Sequence, residues 1–232
     1  MPGSGQLAWP PILLCQQERR PVKTTRPTPH PAPATYDELG LERIVFFSDA
    51  VIAIAITLLA IEIRLPPLAD GARLIPALWD LWPSYLSFAI SFLVIGTYWI
   101  AHHNMFEHID RYTPTLIWLN LVFLLCVAFT PFPTAIVGEY GTLAGAQIFY
   151  AGSVVVTGVV KLILWWYAAH NRRLLEPETT DAQIRAVTSR GFVTPAVFLI
   201  SIPFALVHPA IPIVLWISTA MIYGLTRLLF RR

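Results

Sequence analysis

After residue 34 the chain is dominated by long apolar runs separated by short polar stretches. Runs able to cross about 30 Å of hydrocarbon need roughly 20 residues each. Six such runs fall at about 45–64, 83–105, 114–134, 144–169, 190–207 and 210–229. None shows the polar and apolar alternation of a barrel strand, so each reads as a helix. The last two are interrupted by Pro195, Pro203, Pro209 and Pro212, and read as two short helices joined by a tight turn around His208-Pro209. The pattern predicts an all-α membrane protein with six transmembrane helices per subunit. A composition of 56% hydrophobic and 13% charged residues agrees, lying well away from soluble averages.

Ahead of the first run, "PVKTTRPTPHPAPA" is proline-rich, aperiodic and unable to bury a core. Residues 1–34 are therefore expected to form a disordered tail, and 35–232 the six-helix domain. The piece "LAWPPILLC" has a faint likeness to a lipoprotein signal but lacks a basic segment before it and is broken by two prolines. Thr35 and Glu38 have capping-box spacing and mark a helix start. Cys15 and Cys126 fall in different environments, so no disulfide is expected.

Charge sets the orientation, because Lys and Arg of short loops stay on the cytoplasmic side. Arg19, Arg20, Lys23, Arg26 and Arg43 precede the first span, Arg111 follows the second, and Arg172, Arg173, Arg185 and Arg190 lie between the fourth and fifth. Arg227, Arg231 and Arg232 close the chain, while the opposite loops hold only Arg64 and Arg73. Both termini are expected in the cytoplasm, with the chain multi-pass in the cell membrane. Lys161, inside the fourth span, is expected to snorkel toward the nearer interface rather than pair within the bundle. Trp79, Trp82 and Tyr85, with Trp165, Trp166 and Tyr167, read as interfacial aromatic belts.

The stretch "RIVFFSDAVIAIAITLLAIEI" places an acid, Asp49, near the start of an otherwise apolar helix. An Asp at mid-membrane costs roughly 2.5–3.5 kcal/mol and less near the boundary, so it needs a partner or a task. "YWIAHHNMFEHIDR" returns His102 and His103 to the same level as Arg43, Ser48 and Asp49. These five side chains are expected to form a polar clasp between the first two spans. Spacing by three and four then sorts the first helix into faces. Phe47, Val51, Ile54, Leu58 and Ile61 share a stripe with Thr57 at its margin, and Asp49, Ala53, Ile56 and Ala60 share another whose small residues suit close packing. From periodicity alone the apolar stripe is expected to face lipid or fill core.

Arg43 with Phe47, Ser48 and Asp49 makes the signature R-x-x-x-F-S-D, and "DAVIAIAITLLAIEI" continues it. This resembles the prokaryotic members of the transmembrane protein 175 family of potassium channels. "WIAHHNMF" at 99–106 is similar to that family's second-helix pattern, and "WLNLVFLLCVAFTPFPTAIVGEY" at 118–140 to its third helix, with Pro131-Phe132 and Thr134 in place. The resemblance covers roughly 36–230 and implies a homotetramer around a central pore, with no TVGYG-type filter. Animal members resemble a tandem duplication of the six-helix unit, present here once. The implied pore is lined by the first helix of each subunit and narrowed by apolar rings at positions corresponding to Ile54, Leu58 and Ile61, with Thr57 implicated in selectivity. Such rings can gate by dewetting. The resemblance also places Arg43, Ser48, Asp49 and the histidines in helix packing behind the pore.

The implied function is a potassium-permeable cation channel, with potassium as permeant ion, no cofactor and no resident metal. Its partners would be its own copies, the lipid bilayer and potassium, and no nucleic acid. A secondary transporter of a small ion or solute is the alternative, since the proline-broken last spans fit a discontinuous helix, although no internal repeat is evident. A membrane enzyme fits less well. His103 and Glu107 have i, i+4 spacing able to share a metal, but His30, His170 and His208 are isolated. Glu62 reads either as an acidic ring at the outer mouth or, preferred, as a local ion pair with Arg64 or Arg73.

Overall fold

The computed structural model describes residues 36–65, 67 and 73–229, with side chains from Leu39 to Thr219 within those bounds. The tail at 1–34 with Cys15, the Thr35 capping box, and the side chains of Arg227, Arg231 and Arg232 lie outside the described residues.

The described chain is helical. α1 (Tyr36–Leu58) tightens into a 3-10 turn through Glu62 and is followed by α2 (Leu74–Asp80), α3 (Trp82–Phe106), α4 (Pro114–Phe129), α5 (Pro131–Tyr140), α6 (Ala144–Ala169), α7 (Asp181–Ala205) and α8 (Ala210–Leu229). Five stretches among the described residues are long and apolar enough to cross a membrane: Leu39–Glu62, Trp82–Phe106, Pro114–Tyr140, Ala144–Arg172 and Asp181–Ala205. α8 adds a shorter apolar stretch over Ala210–Thr219.

The boundaries differ from expectation at three places. The short α2 was not expected. The third span is two helices, because Pro131 and Pro133 bring no amide hydrogens to the ladder and the chain tightens at Thr130, whose amide reaches only Val127 O. The fifth span starts at Asp181 instead of 190, because Thr180 caps it: its hydroxyl accepts from Gln183 N at 3.3 Å, and Gln183 Oε1 accepts from Thr180 N at 2.8 Å. The turn before α8 falls where the prolines put it, around His208 and Pro209.

α6 and α7 pack face to face because two glycines let them. A Cβ on Gly158 would lie 2.7 Å from Pro195 Cβ, and one on Gly191 would lie 3.0 Å from Leu162 Cδ2. Pro195 also has no amide to offer Gly191 O, which lies one turn earlier. Lys161 Nζ takes up that carbonyl instead, at 3.3 Å, and lies 5.2 Å from the centroid of the Tyr98 ring. Only 1% of Lys161 is exposed, so it does not snorkel. The broken ladder of α7 supplies an acceptor inside the bundle, and the amine goes to it. Trp165 likewise leaves the expected aromatic belt: it is buried and donates from Nε1 to Thr188 Oγ1 at 2.8 Å. Trp79, Trp82 and Trp166 remain exposed.

Buried apolar side chains fall into two clusters, one holding Ile52, Leu59, Ile95, Phe123 and Trp216, the other Met105, Leu116, Leu164, Trp165 and Leu174. The second is closed by the two arginine-bearing loops, which pair through Asp110 N to Leu174 O at 2.9 Å and Glu176 N to His108 O at 3.0 Å. A chain of hydroxyls, Tyr150 to Ser91 at 2.9 Å and Ser91 to Thr134 at 2.8 Å, ties α6, α3 and α5 together.

Candidate functional site

α1 offers the bundle only one narrow edge. Ser48, Ile52, Ala55 and Leu59, spaced by four, three and four, are almost wholly buried, and Ile56 is partly buried beside them. Leu41, Ile44, Val45 and Val51 are partly buried against the two clusters, and the remaining flank is uncovered within the chain. Ile54 is 57% exposed, Leu58 40% and Ile61 61%, with Phe47 and Thr57 also exposed. Of the apolar stripe predicted from periodicity, Phe47, Ile54, Leu58 and Ile61 therefore stand on the uncovered side, while Val51 packs partly against the core. The packed face is corrected: Ala53 and Ala60 are exposed and Asp49 sits at the margin, because the true contact edge is rotated onto Ser48 and Ile52. Thr57 Oγ1 donates to Ile54 O at 2.8 Å, which turns its hydrogen back to the helix and leaves oxygen lone pairs outward.

The polar groups behind this face make two separate ties. In the buried one, Ser48 Oγ donates to Ile44 O at 2.8 Å and accepts from Asn120 Nδ2 at 2.8 Å. Asn120 Oδ1 then faces His102 Nε2 at 2.9 Å. Directionality follows from the hydrogen count. The one Ser48 hydrogen is committed to Ile44, so Asn120 must present its amide nitrogen to Ser48 and its oxygen to His102, which places a hydrogen on His102 Nε2. His102 is fully buried, stacked on Phe106 with ring centroids 4.3 Å apart and on Phe123 at 5.6 Å, and its Nδ1 meets no partner. Three helices, α1, α4 and α3, are joined in this way.

The second tie is shallower. Trp99 Nε1 donates to Asp49 Oδ1 at 2.9 Å, joining α3 to α1. His103, expected beside Asp49, instead lies 3.1 Å from Glu107 and stacks on Trp99 with ring centroids 5.9 Å apart. Arg43 is exposed and stands apart from both ties. The expected five-residue clasp is thus divided. Ser48 and His102 meet through Asn120, Asp49 meets Trp99, and Arg43 and His103 belong to neither. Asn120 and Trp99 were the members missed. The signal for Asn120 was present, as a lone amide inside an apolar run needs a buried partner.

No group of three His, Cys, Asp or Glu side chains able to hold a metal occurs among the described residues. Glu62 lies 3.8 Å from Arg64, as in the local pair.

The family model described as endosomal/lysosomal potassium channel TMEM175 matches residues 43–131, from Arg43 through α1, α3 and α4. A potassium channel of Chamaesiphon minutus is 34% identical over 188 residues, covering 79% of this chain and 90% of that protein. One from Streptomyces collinus is 37% identical over 152 residues, covering 64% of this chain and 74% of its own. Among solved structures, the crystal structure of a lysosomal potassium-selective channel TMEM175 homolog from Chamaesiphon minutus superposes with a TM-score of 0.72 at 31% identity, over 81% of this chain and 98% of that one. That likeness spans the bundle, and the family is one of ion channels, not enzymes. The chain belongs to the TMEM175 family.

Proposed function

We propose that this chain is the subunit of a potassium-permeable cation channel in which four copies surround a pore lined by α1. The observation that carries the reading is the bareness of α1. It is the most apolar of the five spans among the described residues, yet the least buried of them. Lipid alone would accept such a face, but the relatives of this chain are named potassium channels.

In this reading Ile54, Leu58 and Ile61 form successive apolar rings. An apolar ring gives a permeating ion no replacement for its hydration shell, so its barrier depends on width and wetting rather than on coordinating oxygens. Thr57, with its hydroxyl hydrogen directed at Ile54 O, would offer lone pairs to a cation at the same level. The clasp residues Ser48 and Asp49 act from behind, holding α1 against α3 and α4 so that the uncovered side keeps its orientation. The arginine-bearing loops and both termini face the cytoplasm of a cell membrane. Purified protein reconstituted in planar bilayers tests the function: unitary currents with a reversal potential following the potassium gradient are expected. Solute flux without unitary currents would favour the transporter.

A further inference from the structure

A cavity of about 220 Å³ opens between α3, α6 and α7, with Lys161, Arg190, His108, Asn104 and Glu107 in its wall. It lies toward the arginine-bearing loops, since His108 belongs to one of them and pairs with the other through Glu176.

Its chemistry follows from Lys161. This side chain is brought inside by the Gly191 carbonyl that Pro195 leaves without an amide. An ammonium has three donors, and one bond to Gly191 leaves capacity for a ligand in the cavity that Lys161 lines. Among the described residues no carboxylate stands within ion-pair distance of it. A buried cation calls for a compensating anion. Glu107, the acid of the cavity wall, is drawn to His103 at 3.1 Å. Arg190 adds a planar fork suited to paired oxygens. His108 Nδ1 donates to Asn104 O at 2.8 Å, which fixes the ring at the cavity wall.

We propose that this cavity binds a phosphate-bearing anion, with Lys161 and Arg190 as its cations. The source is either the headgroup of an anionic lipid, as basic pockets between transmembrane helices accept, or free phosphate. Bound there, the anion would neutralise Lys161 and brace the end of α3 against α7.

The test uses the full chain in maltoside micelles, titrated in one arm with dioleoylphosphatidylglycerol and in the other with sodium phosphate at constant ionic strength. Saturable binding in the lipid arm is expected, weakened about tenfold by Arg190→Gln and by Lys161→Met. Arg185→Gln, at an exposed site outside the cavity wall, should leave it unchanged. Saturation by sodium phosphate with the same dependence on Arg190 assigns the free ion as ligand. Should Lys161→Met fail to fold, Arg190→Gln decides. Absence of saturation in both arms, or equal weakening by Arg185→Gln and Arg190→Gln, overturns the site.

Discussion

Trp99 gives its indole hydrogen to Asp49 across 2.9 Å, and that bond joins α3 to α1. It is partly open to its surroundings, so its contribution is modest. Trp99→Phe keeps the ring and removes the donor. Thermal unfolding in detergent is expected to show a loss of about 1 kcal/mol. Asp49→Asn, which keeps an acceptor, should cost less than Trp99→Phe. The reverse order would show that the carboxylate acts elsewhere.

The buried tie should cost more to break. Asn120→Leu strips a donor from Ser48 and an acceptor from His102 at once, leaving the imidazole, already without a partner at Nδ1, buried with neither nitrogen bonded. A loss of about 2–4 kcal/mol is expected, with less assembled protein on a sizing column. Arg43→Gln, outside this tie, should assemble normally.

Pore and packing faces are separable by one pair of substitutions. Ile54→Asn, on the uncovered side, should preserve assembly while raising conductance and eroding potassium preference in bilayer recordings. Ile52→Asn, at a site only 1% exposed, should chiefly reduce folded protein. Unchanged currents in a well-folded Ile54→Asn channel would move the pore face elsewhere on α1.

Two glycines of α6 should respond oppositely to the same change. Gly158→Ala forces its new methyl against Pro195 and is expected to destabilise by about 1–3 kcal/mol. Gly152→Ala meets nothing within 4 Å and should be neutral or slightly stabilising, since it restricts the unfolded chain. Equal effects would mean that α6 and α7 do not pack so closely.

Topology can be read by labelling a cysteine placed at Arg173 in a chain whose Cys15 and Cys126 are replaced by serine. An impermeant thiol reagent applied outside intact cells should leave it unmodified until the membrane is opened. Prompt labelling would invert the orientation.

The legibility of the sequence follows the range of each interaction. Where a run is apolar and ends at polar residues, as over 144–169, the expected and observed helices coincide, because length and hydropathy are local properties. α7 began nine residues earlier than expected because a membrane run was sought, while the true start is set by a polar capping box at Thr180. On α1 periodicity found the uncovered stripe but misplaced the buried edge by a fraction of a turn. Which of Ser48 and Asp49 is buried depends on Asn120, 72 residues away from Ser48 in sequence. The fate of Lys161 was equally non-local, decided by a proline on another helix.

The narrow contact edge of α1 has a consequence for how such a protein can diversify. Mutations in most membrane helices are judged twice, once for function and once for whether the subunit still folds. On α1 these two trials fall on different side chains: Ser48, Ile52, Ala55 and Leu59 answer for folding, while the opposite flank is free of intrachain obligations. In the proposed channel, natural variation on that flank can therefore explore new permeation properties on an unaltered scaffold.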